Sequence, residues 1–186
     1  HGQWIWTEPR GQFAGFDSPQ ISISRGTLQM TLLAFVQAQL GADRVMTGQR
    51  LTSFSSKNRH AMANFQSTGA ASEAVHSDLV ICADGIHSAA REQMYPNEGA
   101  PIYSGRLLWR ATSVAKPYLS GASMIMAGYE DQKFVCYPIE RVRDDGLQRI
   151  NWIAELRRPQ PDRARGWSRE GNIDDFLPQF TDWDFD

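Results

Sequence analysis

Cysteine is scarce in this chain. Cys82 and Cys136 are the only two among 186 residues, and each sits inside an apolar run. Thiols so few and so far apart make no disulfide framework; they read as buried free thiols in a reducing compartment, the cytoplasm. Histidine is hardly commoner, with four (His1, His60, His76 and His87). None of them meets another His, Cys or acid at the spacing of a zinc site, so no metal is expected. An excess of one charge is missing too: 19 Lys and Arg face 21 Asp and Glu, a net of -2. That balance provides no general attraction to nucleic acid or to an anionic membrane. No apolar run approaches the roughly 20 residues that span a bilayer, and no secretory leader is expected. There is also no G-x-G-x-x-G, the turn that seats a dinucleotide on the first helix of a βαβ unit.

What is present suits a packed protein of one large or two small domains, with 41% hydrophobic and 22% charged residues. QWIWTEP (3–9) and QISISR (20–25) read as short strands. GTLQMTLLAFVQAQLG places Leu28, Leu32, Phe35, Val36 and Leu40 at helical spacing, with Thr27 to cap the start and Gly41 to close the end. Residues 44–56 and 60–68 read as two strands joined by the polar SKNR. From Ile102 the texture changes. RLLWRATSVA, ASMIMAGYE, KFVCYPIE and LQRINWIAELR are β-type runs with short polar connections, which predicts an antiparallel meander. A polar stretch, QPDRARGWSREGN, then leads to a short helix near 173–180. The fold class is α+β.

The richest stretch is DLVICADGIHSAAR, residues 78–91. DLVICA has the continuous apolar character of a strand covered on both faces. It runs into Asp84 and Gly85, and HSAAREQMY restarts as a helix ended by Pro96. Gly85 permits a sharp turn and a close approach to the backbone. Ser88 suits an N-cap, and Arg91 lies one turn further along the same face. Asp84 can accept from sugar hydroxyls or from loop amides, so the group fits a dinucleotide's sugar and diphosphate. A plain strand-to-helix turn, with Asp84 bonding its own loop and Arg91 on the surface, fits the same residues equally well.

This stretch resembles the second dinucleotide motif of the FAD-dependent aromatic hydroxylases, the class A flavoprotein monooxygenases that include p-hydroxybenzoate and salicylate hydroxylases. The match falls on Asp84, Gly85, Ser88 and Arg91; family members commonly have Gly where this chain has Cys82. SRGTLQMTL resembles the family's R-x-x-L-x-x-x-L segment, which implies a flavin-side role for Arg25, a weaker one for Gln29, and a buried face at Leu28 and Leu32. YSGRLLWRATS, KFVCYPI and INWIAEL resemble strands of its substrate sheet. The resemblance implies a central portion of such an enzyme, between an N-terminal G-x-G-x-x-G and a later G-D motif that this chain does not contain. Alone, that portion would be inactive and would bind FAD weakly or not at all.

The implied organisation puts residues 1–19 with the substrate domain, 20–100 in the FAD-binding domain and 101–186 in an antiparallel substrate-domain sheet. The implied reaction uses FAD and NAD(P)H as co-substrate, adds O₂ to give a flavin hydroperoxide, and hydroxylates a small aromatic substrate, an aromatic acid in the closest subgroup. Alternation puts Leu107, Trp109 and Ala111 on one face of their strand and Leu108, Arg110 and Thr112 on the other. Arg110, Tyr137 and Trp152 are the substrate candidates, each with a structural role as its alternative. The aromatic opening (Trp4, Trp6, Phe13, Phe16), if uncovered, would favour homo-oligomers or aggregation. The rival to an enzyme is a non-catalytic small-molecule or protein-binding module derived from the same fold.

Overall fold

The computed structural model describes residues 3–68, 73–159 and 170–183. They form an α+β arrangement of two compact units: His1–Met30 with Tyr103–Asp186, and Thr31–Ile102. The division falls inside the helix α1, Arg25–Leu40. Among the described residues no helix is long and apolar enough to cross a membrane.

Helix α1 forms where its spacing predicts, but its cap is Ser24, whose Oγ accepts from the Thr27 amide at 3.2 Å. Ser24 stands just before the helix, where a side-chain oxygen reaches the orphan amides of the first turn; Thr27 is already inside it. Gly41 ends the helix with φ +99°. Leu28, Leu32 and Phe35 are all exposed, Phe35 at 62%, which corrects the expectation of a buried face at Leu28 and Leu32. The apolar side chains point in every direction round the helix, the pattern of a helix with neighbours on all sides.

The second unit carries a three-stranded antiparallel sheet in the order β1-β2-β3: Gln49–Lys57, His60–Ser67 and Glu73–Ser77. The third strand was not foreseen, because EAVHS is short and half polar. Helix α2, Ala89–Met94, follows with Ser88 as its N-cap. Three expected strands do not form among the described residues: QWIWTEP is irregular, QISIS is a loop leading into α1 at Arg25, and DLVICA makes no strand, with Leu79 71% and Ile81 82% exposed. An apolar run becomes a buried strand only where neighbours supply both a hydrogen-bonded ladder and cover, and the described residues place no strand beside it. Cys82 is accordingly exposed and only Cys136 is buried, correcting the expectation of two buried thiols.

The other unit is built on a four-stranded antiparallel sheet: β4, Arg106–Ala115; β5, Ile125–Gly128; β6, Gln132–Pro138; and β7, Gln148–Arg157. All four strands match the predicted runs. Their order does not follow a simple meander, being β4-β7-β6-β5, so β4 lies beside the last strand. The connection after β4 is tied down by Tyr118, whose one hydroxyl proton lies between the carbonyls of Ser123 at 2.8 Å and Cys136 at 3.0 Å. Gln148, 2% exposed, adds Nε2 donation to the carbonyls of Gly121 and Glu140 at 2.8 and 2.9 Å.

Strand register sorts the side chains into two faces. Trp109, Ala154 and Leu156 share one face with Leu107, Phe134 and Trp152. There they pack against Phe176, between two single 3-10 turns at Ile173–Asp175 and Leu177–Gln179, and Phe180, just after the second. The expected short helix near 173–180 takes this form. The opposite face carries Arg110, Thr112, Asn151, Ile153, Val135 and Tyr137.

Candidate cofactor site

The turn from Asp84 to Arg91 is held by its own side chains. Gly85 takes φ +82°, a conformation that residues with a Cβ rarely adopt. Its carbonyl accepts from the Ser88 amide at 3.1 Å. The Ser88 hydroxyl donates to Asp84 Oδ1 at 2.6 Å and accepts from the Arg91 amide at 2.9 Å. Asp84 Oδ2 accepts from the Ala90 amide at 3.4 Å. The Ser88 hydroxyl is the chief cause holding the Asp84 carboxyl below its ordinary value. Asp84 therefore does bond its own loop, as the plainer reading anticipates. The Ser88 hydroxyl and the Ala90 amide bond it directly, and the amides of Asp84 itself and Ala89 add to the lowering.

Arg91 is not free. Its Nε donates to Glu98 Oε2 at 2.6 Å and its Nη2 to Glu98 Oε1, a two-point fork. Hydrogen bonding and charge from Glu98 raise the guanidinium's affinity for its proton, and the bond from Arg91 lowers that of Glu98. Glu98 was not singled out in the sequence, where an acid seven residues beyond an arginine, past a proline, has no signature. Cys82, Asp84, Gly85, Ser88, Arg91 and Glu98 border one surface hollow of roughly 500 Å³. A Cβ built on Gly85 would meet nothing within 4 Å, so the backbone there is open to a ligand.

Four of the predicted cofactor residues thus stand together. Arg25 and Gln29 lie four apart on exposed positions of α1, and so share one side of that helix. The three substrate candidates are divided. Arg110 and Tyr137 occupy the open sheet face, with Ile153 and Asn151 of β7 standing between them in the register. Trp152 is on the opposite face: its ring lies 5.7 Å from Phe176 and 6.3 Å from Phe134, and its indole N–H donates to Ser113 Oγ at 3.0 Å. Asn151 and Ile153 share that face through the register, Ile153 opposite Arg110 and Asn151 opposite Tyr137; alternation alone set them apart from Trp152 without saying on which face. Glu155, at one end of that face, is held by Arg106 at 2.8 Å.

Comparison with known proteins bears on the same motif. The chain is 35% identical over 190 residues to phenazine 1,6-dicarboxylic acid hydroxylase PhzS of Lysobacter antibioticus, covering 99% of this chain and 47% of that protein. It is 30% identical over 169 residues to the FAD-dependent monooxygenase nodY2 of Hypoxylon pulicicidum, covering 86% of this chain and 34% of that protein. It thus spans about half the length of the first and a third of the second. The 2,6-dihydroxypyridine-3-hydroxylase of Arthrobacter nicotinovorans overlaps 64% of this chain and 30% of its own, with a TM-score of 0.46 and 19% identity. No family model matches the chain. The similarity thus runs along nearly the whole chain, to part of a hydroxylase and part of an FAD-dependent monooxygenase.

Proposed function

We propose that this chain forms part of an FAD-dependent, NAD(P)H-consuming monooxygenase that hydroxylates a small aromatic acid. The observation that carries the proposal is the turn at Asp84–Arg91, where an open glycine backbone, a carboxylate and an arginine fork border one hollow, within a chain aligned along its length with monooxygenases. What FAD supplies in such a protein is activation of dioxygen at the expense of NAD(P)H and transfer of one oxygen atom to the ring.

The residues present fit the nucleotide half of that cofactor. Asp84 keeps acceptor positions for sugar hydroxyls. Gly85 lets a ligand approach the main chain. Arg91 exchanges Glu98 for a diphosphate, trading one bidentate acceptor for another. Arg25 and Gln29 serve the flavin side. On the sheet, Arg110 pairs with the substrate carboxylate and Tyr137 orients its ring. Residues 20–100 then belong to the cofactor domain, and 1–19 and 101–186 to the substrate domain. A cytoplasmic location suits the NAD(P)H supply.

The relative that acts on a phenazine dicarboxylic acid directs the test. Protein expressed from the complete reading frame is mixed with NAD(P)H and a panel of hydroxybenzoates and phenazine carboxylic acids. Substrate-stimulated NAD(P)H consumption with a hydroxylated product is expected for at least one. A panel in which no acid stimulates consumption or gains oxygen removes the aromatic-acid assignment.

A further inference from the structure

Strand β1 is an edge of its sheet, and an edge strand leaves every second peptide group without a ladder partner. At Phe54 that gap is filled from α2. Gln93 Oε1 accepts from the Phe54 amide at 3.0 Å, and Gln93 Nε2 donates to the Phe54 carbonyl at 2.6 Å. The side-chain amide takes the place that the peptide group of a further strand would occupy. Two antiparallel bonds to one residue fix both the height of α2 along the strand and its rotation.

Helix α2 has little else to hold it. It is six residues long, far below the length at which a helix is stable by itself. Ala90 is its one buried residue, at 0% exposure. Ala90 and Gln93 are three apart and so share one side, and Arg91 lies between them in sequence. Besides the Ser88 cap and the Asp84 bond at its start, the methyl of Ala90 and the amide of Gln93 fix the side of the helix that faces the sheet, and with it where Arg91 leaves.

We propose that Gln93 is a positioning residue for the cofactor turn. By clamping α2 to the edge of β1 it sets the direction in which Arg91 presents its guanidinium to a diphosphate. The inference rests on the reading of that turn as a nucleotide site. Glutamine is required because the position needs an acceptor and a donor on one planar group. Methionine matches its length without either function, and an ionised glutamate would turn a second negative oxygen towards the Phe54 carbonyl.

The test uses protein from the complete reading frame and has two arms. In Gln93→Met, exchange of the Phe54 amide with solvent should accelerate to the rate of an unpaired edge amide, while β1 amides bonded to β2 keep their protection. FAD affinity should fall by roughly fivefold to tenfold, the scale of one lost hydrogen-bonded anchor. The loss should vanish in an Arg91→Ala background, because a residue acting through Arg91 has no effect once Arg91 is gone. Unchanged Phe54 exchange, or losses that add in the double variant, overturn the role of Gln93. Failure of the wild-type protein to bind FAD would instead remove the nucleotide reading and this inference together.

Discussion

Arg91 and Glu98 form a fork-to-fork ion pair beside the hollow at Asp84. An arginine already holding a carboxylate is aimed and desolvated on one side, but a phosphate has to displace that carboxylate before it can bind. The pair is surface-exposed on both sides, and such pairs contribute little to stability, so its consequence is felt in ligand affinity. Glu98→Gln is therefore expected to tighten FAD binding severalfold in the complete protein, more at low salt than at high. Flavin fluorescence titration at two ionic strengths checks this; weaker binding would mean that Glu98 supports Arg91 rather than competing for it.

Asp84 and Ser88 give the turn a dependence on pH. The Asp84 carboxyl is held below its ordinary value of 3.8, chiefly by the Ser88 hydroxyl. A depressed carboxyl stabilises the fold fully above its unfolded value, and that stabilisation is lost as pH falls through the lower folded one. Protection of the Ala90 and Arg91 amides from exchange should thus be constant above about pH 5 and decline in stronger acid. Ser88→Ala should cost about 1 kcal/mol of local stability at neutral pH, the usual scale for a lost N-cap.

The division of the sheet into two faces separates two kinds of variant. Arg110→Ala and Tyr137→Phe should raise KM for an aromatic acid, the arginine change by roughly tenfold or more, and Tyr137→Phe with little change in thermal stability. Trp152→Phe should lower stability, since it removes the bond to Ser113 and contacts with Phe176 and Phe134, and should leave KM nearly unchanged. Steady-state kinetics paired with melting curves distinguish the two.

Phe176 joins the tryptophans of the core, 5.3 Å from Trp109 and 5.7 Å from Trp152, and is itself buried. Phe176→Ala should cost about 3–5 kcal/mol, the range for deleting a buried aromatic ring. Tryptophan emission followed through denaturant reads the change in midpoint directly.

Much of this molecule was legible because its signals are local. Alternation along RLLWRATSVA, KFVCYPIE and LQRINWIAELR marked the strands β4, β6 and β7 and their faces, and the Asp-Gly followed by Ser and Arg marked a capped turn. What failed depends on neighbours. The sequence of β4 does not reveal that its partner is β7 rather than β5, because alternation marks a strand's faces and not its neighbour. DLVICA expresses a need for cover, and periodicity cannot say whether cover is near in the chain. Trp152 and Tyr137 are equally aromatic; only the register showed that one faces the core and the other the open side. Glu98 and Gln93 act through partners 7 and 39 residues away, at spacings no local motif encodes.

FAD and riboflavin affinities, compared in the complete wild-type protein and in Arg91→Ala, test the central claim most directly. Riboflavin lacks the diphosphate, so an arginine that holds a diphosphate should matter to FAD alone. Arg91→Ala is expected to weaken FAD by about tenfold or more and to leave riboflavin unchanged. Equal affinities of both proteins for FAD would contradict it.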